Sequence, residues 1–300
     1  MKVLVTGATG FIGSHVVREL LRRDHTVDVL VRPAARFDRL RDEIGRIAVW
    51  PVDLLDGPQV DSVVASIGAD AAIHLAWYAE PGSYLRDVPR NLASLEAGIR
   101  LLRSLAAGSS RRLVLAGTCL ESLFHDGDEP VYGAAKRALH DVAASLACPG
   151  LNVACAHIFS VFGPGEDPRR AVPAVARALL EGRSVDLGAG ARLRDYVFVV
   201  DVAAALVTVL ESEVVGGIDI CSGEPRPLRQ VFEQVGRAAA AGHLLRFGAR
   251  PVVADEDYDA VGDPTALRAL GWRPGDSFAG RIDETVAWWR ARLRQPAAAG

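Results

Sequence analysis

The sequence predicts an α/β fold: a doubly wound parallel sheet followed by a smaller mixed α/β carboxy-terminal region. Three observations carry that prediction. Short apolar strands alternate with amphipathic helices over the first half of the 300 residues, the pattern of a parallel sheet covered by helices on both faces. Gly7, Gly10 and Gly13 follow the first strand directly and open into the first helix. After about residue 160 the alternation loosens and turn-rich stretches separate the elements.

Along the chain, Val3–Thr6 is a compact apolar, β-branched run and reads as a strand, and Ile12–Arg23 as an amphipathic helix. Thr26–Val31 and Ile47–Pro51 are the next strands. Val60–Ile67 is helical, Ala71–Leu75 a buried strand and Asn91–Ala107 a long helix. Arg112–Ala116 is strand, Tyr132–Ala147 helix and Val153–Ile158 strand. Phe162-Gly-Pro-Gly-Glu-Asp-Pro168 is a turn-rich crossover. Beyond it Ala171–Glu181, Val202–Glu211, Leu228–Ala240 and Phe278–Arg294 read as helices. Strands fall near Asp195–Val200 and at Ile218–Cys221, and Thr265–Trp272 is a short helix capped by Gly271. The expected division is 1–160 for a Rossmann-type dinucleotide-binding domain and 161–295 for a substrate region, with chain crossovers between them. Residues 296–300 are expected to be a frayed tail.

Half the residues are hydrophobic and 24% are charged, an ordinary globular balance, and 300 residues can bury a substantial core. A net charge of −3 with scattered Lys and Arg gives no case for a nucleic-acid partner. No apolar run reaches the length of a membrane span, and the opening Met1-Lys-Val-Leu-Val-Thr-Gly enters a strand at once, without signal-peptide features. Cys119, Cys148, Cys155 and Cys221 lack metal-ligand spacing, so reduced thiols and a cytoplasmic location are expected, with no metal.

The glycine run predicts a phosphate cradle. Glycine lets the backbone turn sharply and approach a pyrophosphate, which the following helix amino terminus favours electrostatically. Thr9, Phe11 and Ile12 belong to the same cofactor turn as Gly7, Gly10 and Gly13. An acidic residue at the end of the second strand would bind a ribose 2′-hydroxyl, whereas Arg accommodates a 2′-phosphate. Here Val31 is followed by Arg32, with Arg36 nearby and no carboxylate, which points to NADP(H) in preference to NAD(H). Asp53 and Leu54, after the third strand, are placed to meet the adenine edge, and Leu75, Ala76 and Trp77, after the fourth, to line the cofactor groove.

Tyr132 and Lys136 stand four apart in one helix and therefore on one face of it. A phenol near pKa ~10 is too weak an acid for neutral pH. A neighbouring ammonium favours the phenolate, which makes Tyr132 a candidate general acid/base.

These motifs, with His74-Leu-Ala76, Asn91, Phe162-Gly-Pro164, Arg194-Asp-Tyr-Val-Phe-Val-Val-Asp201, Cys221-Ser-Gly-Glu224 and Leu270-Gly-Trp-Arg-Pro274, stand in one order along the chain. In that order the chain resembles the extended short-chain dehydrogenase/reductases, in their NAD-dependent epimerase/dehydratase branch acting on nucleotide sugars. The resemblance implies that Thr118 completes a catalytic set with Tyr132 and Lys136, its hydroxyl bonding the oxygen that gains or loses a proton. It adds Asn91 to the cofactor residues, with Tyr132 and Lys136. It implies that Thr118, Cys119, Ser160 and Arg194 meet the substrate, with Arg194 as the fork on its pyrophosphate.

Two departures concern the reaction. Sugar-nucleotide 4,6-dehydratases place Asp-Glu directly after this Thr, whereas this chain has Cys119-Leu120, so dehydration is disfavoured. The loop from Thr118 to Tyr132 is also short. His157 stands where an Arg is common and reads as a satisfied, half-buried histidine. The resemblance then implies NADPH-dependent reduction of a 4-keto-6-deoxy nucleotide sugar, dTDP-linked, to its alcohol. The alternatives are a nucleotide-sugar epimerase with retained NAD, reduction of a non-sugar carbonyl, and a non-catalytic NADP-sensing binding protein. A homodimer is expected through the helix carrying Leu92, Leu95, Ile99, Leu102 and Leu105, paired with the Tyr-Lys helix.

Overall fold

A computed structural model describes residues 1–123, 129–145, 150–251 and 258–294. Residues 124–128 of the short loop after Thr118, residues 146–149 with Cys148 and the end of the expected Tyr-Lys helix, residues 252–257, and the tail lie outside the described residues.

The first half alternates β1 (Lys2–Thr6), α1 (Phe11–Arg22), β2 (Thr26–Val31), β3 (Ile47–Pro51), α2 (Gly57–Ile67), β4 (Ala71–His74), α3 (Val88–Ala107), β5 (Arg112–Thr118), α4 (Leu120–Leu123), α5 (Val131–Ser145) and β6 (Asn152–Ile158). The second half continues with β7 (Ser160–Phe162), α6 (Ala171–Leu180), β8 (Val185–Leu187), β9 (Leu193–Arg194), β10 (Tyr196–Phe198), α7 (Val199–Glu211) and β11 (Gly216–Ile220). It ends with β12 (Arg226–Pro227), α8 (Leu228–Ala239), β13 (Leu245–Phe247), α9 (Thr265–Ala269) and α10 (Phe278–Arg294).

Two compact units result. The first comprises Met1–Ile158, Val202–Ile220 and Pro264–Trp272, and the second Phe159–Asp201, Cys221–Asp263 and Arg273–Gly300. The second half of the chain thus returns twice to the first unit, with β11 and with α9.

The first unit holds a seven-stranded sheet in the order β11-β6-β5-β4-β1-β2-β3, every pair parallel. Chain order reverses between β1 and β4, and parallel strands put all their carboxyl ends on one edge, so loops after β1 and β4 flank the switch point. Val3, Leu4 and Val5 are fully buried because a central parallel strand is covered on both faces. Leu4, Leu102, Leu105, Leu113 and Leu139 share one core cluster. The apolar stripe of α3 splits: Leu102 and Leu105 are core, while Leu92 is 52% exposed. Asp87 caps α3 by accepting the Arg90 N–H at 3.1 Å. Gly68 ends α2 in the left-handed region at φ 59°.

The second unit packs around Phe162, whose ring meets Tyr196, Phe198 and Phe278 edge-on at 5.5–6.0 Å. Asp195 organises its turns: fully buried, it accepts the N–H groups of Ser222 at 2.7 Å and Gly223 at 2.8 Å. The expected strand Asp195–Val200 stops at Phe198, and Val199 already opens α7. The β-branched run there reads as strand, but Val199, Val202, Ala203 and Leu206 are buried at the i, i+3, i+4, i+7 spacing of one helix face.

Candidate active site

The glycine run forms a tight turn that no side chain can enter. Gly7 has φ 71°, and a Cβ on it would lie 2.8 Å from the Ala76 nitrogen. A Cβ on Gly13 would lie 2.1 Å from the Gly7 carbonyl oxygen, and one on Gly10 would lie 3.1 Å from it. The turn is closed by the Gly10 N–H donating to Gly7 at 3.0 Å. Gly10 is the N-cap of α1 and offers no side-chain cap, so the helix amino terminus is presented by backbone alone. Half-buried Thr9, Phe11 and Ile12 complete the turn. This cradle fits a pyrophosphate, as in a dinucleotide.

The remaining predicted cofactor residues lie along the same sheet edge. Arg32 directly follows β2 and is exposed; Arg36 is exposed too and pairs with Asp38 at 3.0 Å. Exposed Asp53 follows β3 and accepts the Leu55 N–H at 3.0 Å, with half-buried Leu54 beside it. Leu75, Ala76 and Trp77 follow β4, all half-buried. Asn91 is fully buried; its Oδ1 accepts the Trp77 Nε1–H at 2.9 Å, and its Nδ2 donates to the carbonyls of Tyr84 at 2.7 Å and Asp87 at 2.9 Å. It thereby ties Trp77 and the 78–87 loop to α3.

Behind this edge, His74 is buried with Nδ1 2.7 Å from Thr6 Oγ1, which also accepts the Ala76 N–H at 3.3 Å. Burial first, and then the Lys136 charge, pushes the imidazole down to about 3, so it is neutral at ordinary pH.

Thr118 is the last residue of β5, which runs two residues beyond its expected end. It is 7% exposed; its Oγ1 accepts the Leu120 N–H at 3.4 Å and its own N–H donates to Glu121 Oε1 at 2.6 Å. Cys119 and Leu120, which follow, are buried. Lys136 is buried against the end of the same strand, its Nζ donating to the Ala116 carbonyl. That Nζ lies 4.5 Å from the Trp77 ring centre and 5.5 Å from that of Tyr132. Burial pushes Lys136 down to about 8, opposed by the Glu121 charge. Half-buried Tyr132 is fixed by its N–H on the Leu85 carbonyl at 3.2 Å and by edge-on contact with Tyr84 at 4.9 Å and Trp77 at 6.4 Å. The structure so gathers Trp77, Tyr132 and Lys136 around one ammonium at the end of β5.

Sequence reasoning singled out His157 but missed Glu121, His140 and Asp219 around it. Glu121 Oε2 lies 2.5 Å from His140 Nδ1 and 3.9 Å from His157 Nε2, and His157 Nδ1 lies 3.2 Å from Asp219 Oδ1. His157 is a partnered, half-buried histidine: burial lowers its pKa, but Asp219 and Glu121 outweigh that and raise it. The available signal was a carboxylate three residues after Thr118. Tyr84 gave none.

In the second unit, Ser160 is half-buried in β7, its N–H on the Asp195 carbonyl at 3.0 Å. Arg194 is 7% exposed, its Nη1 donating to the Leu193 carbonyl at 2.9 Å and to that of Tyr258, with the guanidinium 4.1 Å from the Tyr258 ring centre. Part of its fork is thus already engaged. No helix among the described residues is long and apolar enough to cross a membrane.

Residues 3–220 match the NAD dependent epimerase/dehydratase family. The chain is 28% identical over 304 residues to a 3-diazoavenalumate denitrifying reductase of a Streptomyces species, covering 91% of this chain and 96% of that protein. It is 26% identical to dTDP-glucose 4,6-dehydratase 1 of Escherichia coli, covering 98% and 94%. Among solved structures, the UDP-glucose 4-epimerase of Thermus thermophilus in complex with NAD superposes with a TM-score of 0.85 at 28% identity, over 97% of this chain and 99% of that one.

Proposed function

The chain belongs to the NAD dependent epimerase/dehydratase family, and from that premise we propose that it reduces a 4-keto-6-deoxy nucleotide sugar, dTDP-linked, to the hydroxy sugar with NADPH, in deoxysugar biosynthesis. One observation supports the reading: neither of the two residues directly after Thr118 carries a carboxyl group. Cys119 and Leu120 are apolar and buried there. The next carboxylate, Glu121, is 3% exposed and turned inward onto the Thr118 N–H and His140. An Asp-Glu pair directly after Thr118 would serve elimination, and its replacement by Cys119-Leu120 favours exchange of a hydride and a proton at one carbon and its oxygen.

The nicotinamide, when bound, supplies the hydride. The Tyr132 hydroxyl gives its proton to the substrate oxygen, and Thr118 Oγ1 polarises that oxygen by donating a hydrogen bond. Lys136 keeps a positive charge beside the phenol, which stabilises the phenolate left behind. Gly7, Gly10 and Gly13 hold the dinucleotide against the α1 amino terminus, and exposed Arg32 favours a 2′-phosphate. Arg194 is assigned to the substrate pyrophosphate by its planar, permanently charged guanidinium. The reductive direction is supported by the named activity of the Streptomyces relative.

The second reading, a nucleotide-sugar epimerase that retains NAD, is favoured by the likeness to the Thermus thermophilus enzyme. A silent NADP sensor has less support, since Tyr132 and Lys136 are both present. The same proposal includes a homodimer built on α3, supported by exposed Leu92 beside Leu95 and Ile99. Incubation with NADPH and a 4-keto-6-deoxy nucleotide sugar tests the reading. Stoichiometric NADPH loss with alcohol formation, abolished in Tyr132→Phe while cofactor still binds, is expected. Interconversion of sugar isomers without net NADPH loss would replace it with the epimerase.

A further inference from the structure

We propose that Glu121 is a positioning residue for the reaction: backed by His140, His157 and Asp219, it holds the main chain of Thr118 and sets a negative charge at the end of β5, where Lys136 also docks. This rests on the reading of Thr118 and Lys136 as participants in turnover. Four elements converge on it: α4 brings Glu121, α5 His140, β6 His157 and β11 Asp219.

The Glu121 side chain is 3% exposed. A carboxylate taken out of water this fully persists only where donors or positive charges compensate it. Oε1 takes the Thr118 N–H at 2.6 Å, and that bond sets the backbone from which the Thr118 hydroxyl projects. Oε2 lies 2.5 Å from His140 Nδ1 and 3.9 Å from His157 Nε2. Asp219, at 3.2 Å from His157 Nδ1, accepts a hydrogen bond there and orients the ring.

Two glycines clear space for this arrangement. A Cβ on Gly117 would lie 2.7 Å from both Glu121 Oε1 and His140 Cε1, and one on Gly217 would lie 2.9 Å from His157 Cε1. Both positions are strand residues, where any other side chain would displace the cluster.

The charged and titratable groups around it are Lys136, Arg137, His140 and Asp141 from α5, Cys155 and His157 from β6, Asp219 from β11 and, beside Lys136, His74 from β4. The Arg137 guanidinium takes the Glu121 carbonyl, and its charge also meets Glu129 at 2.7 Å. Glu121 is the acidic group that opposes the desolvation of Lys136. Glu121 and Lys136 both bind the end of β5, Glu121 at the Thr118 N–H and Lys136 at the Ala116 carbonyl.

Two substitutions separate the two tasks. Glu121→Gln keeps an oxygen for the Thr118 N–H but removes the charge, so the alkaline limb of kcat/KM should move down by half a pH unit or more, with kcat at the optimum within about threefold. Glu121→Asp keeps the charge but shortens the reach, so kcat should fall tenfold or more with KM and the alkaline limb unmoved. Changes in thermal stability alone, with both profiles like wild type, overturn the proposal.

The wild-type protein gives a second measurement that needs neither substrate nor variant. By NMR, the Thr118 amide proton should lie well downfield and exchange slowly, and a Thr118 amide like that of an ordinary exposed strand end would overturn the proposal. That readout separates failure of this inference from failure of the substrate reading. Stoichiometric zinc on Glu121, His140 and His157 in the purified protein would also overturn it.

Discussion

Lys136 holds its ammonium 4.5 Å from the centre of the Trp77 indole, and the same indole donates its N–H to Asn91 Oδ1 at 2.9 Å. Asn91 is fully buried and has no other use for that oxygen among the bonds it makes. The loop after β4 and the helix α5 are thereby joined through one aromatic face. A cation over an indole gains about 0.5–2 kcal/mol, more where water is excluded.

Replacing that ring tests the coupling. Trp77→Ala should lower kcat/KM about tenfold, and Trp77→Phe, which keeps an aromatic face but loses the Asn91 bond, only about threefold, on the scale of a cation–π contact of ~1 kcal/mol. Steady-state kinetics of the two variants decide it; equal losses would place the effect in the Asn91 hydrogen bond.

Activity should depend on the Lys136 ammonium. With burial pushing this group down to about 8, the charge is present below that pH and lost as pH rises through it. The logarithm of kcat/KM should therefore bend downward near pH 8 with unit slope, and Lys136→Met should lack the bend and lose a hundredfold or more at pH 7. A flat profile from pH 7 to 10 would remove Lys136 from the chemistry.

His74 predicts acid sensitivity of the fold. Its folded-state pKa of about 3 lies below the ~6.5 of an unfolded chain, so the unfolded state binds the extra proton first. The stability held above pH ~6.5 is then lost as pH falls toward 3, by on the order of a few kcal/mol. Urea unfolding between pH 7 and 4 should show that slope, and His74→Gln should flatten it.

The phosphate cradle predicts a sharp contrast between two glycines. Gly13→Ala puts a methyl group 2.1 Å from a backbone carbonyl and should abolish dinucleotide binding, with a stability loss of ~2 kcal/mol or more. At Gly45 an added Cβ meets nothing within 4 Å, so Gly45→Ala should leave both unchanged within ~0.5 kcal/mol. Cofactor titration and thermal melts of both variants provide the check.

Cofactor choice is tested at the end of β2. Arg32→Asp, which restores a carboxylate for a ribose 2′-hydroxyl, should shift the NADPH/NADH ratio of kcat/KM toward NADH by tenfold or more. An unchanged ratio would assign Arg32 to the solvated surface.

Much of this protein is legible in its sequence because the signals are local. Thr26–Val31, Ile47–Pro51 and Phe278–Arg294 coincide with their elements to the residue, since apolar period and flanking breakers act over a few positions. The glycine turn is legible for the same reason: three residues within one helical turn define it. Elements of two or three residues such as β7, β9 and β12 were not legible, because nothing in so short a run distinguishes a bridge from a loop.

The sequence by itself determined the fold class, the phosphate cradle and the Tyr132–Lys136 pair, all of which depend on neighbours within a few positions. Only the tertiary structure decided how those groups are held. Glu121, His140, His157 and Asp219 are spread over about a hundred positions and meet because β5, β6 and β11 are adjacent in the sheet while α4 and α5 pack beside them. That Asn91 supports Trp77 through its buried amide is visible only in the packed fold. Burial and hydrogen-bond satisfaction are properties of the packed chain, and no spacing along a sequence encodes them.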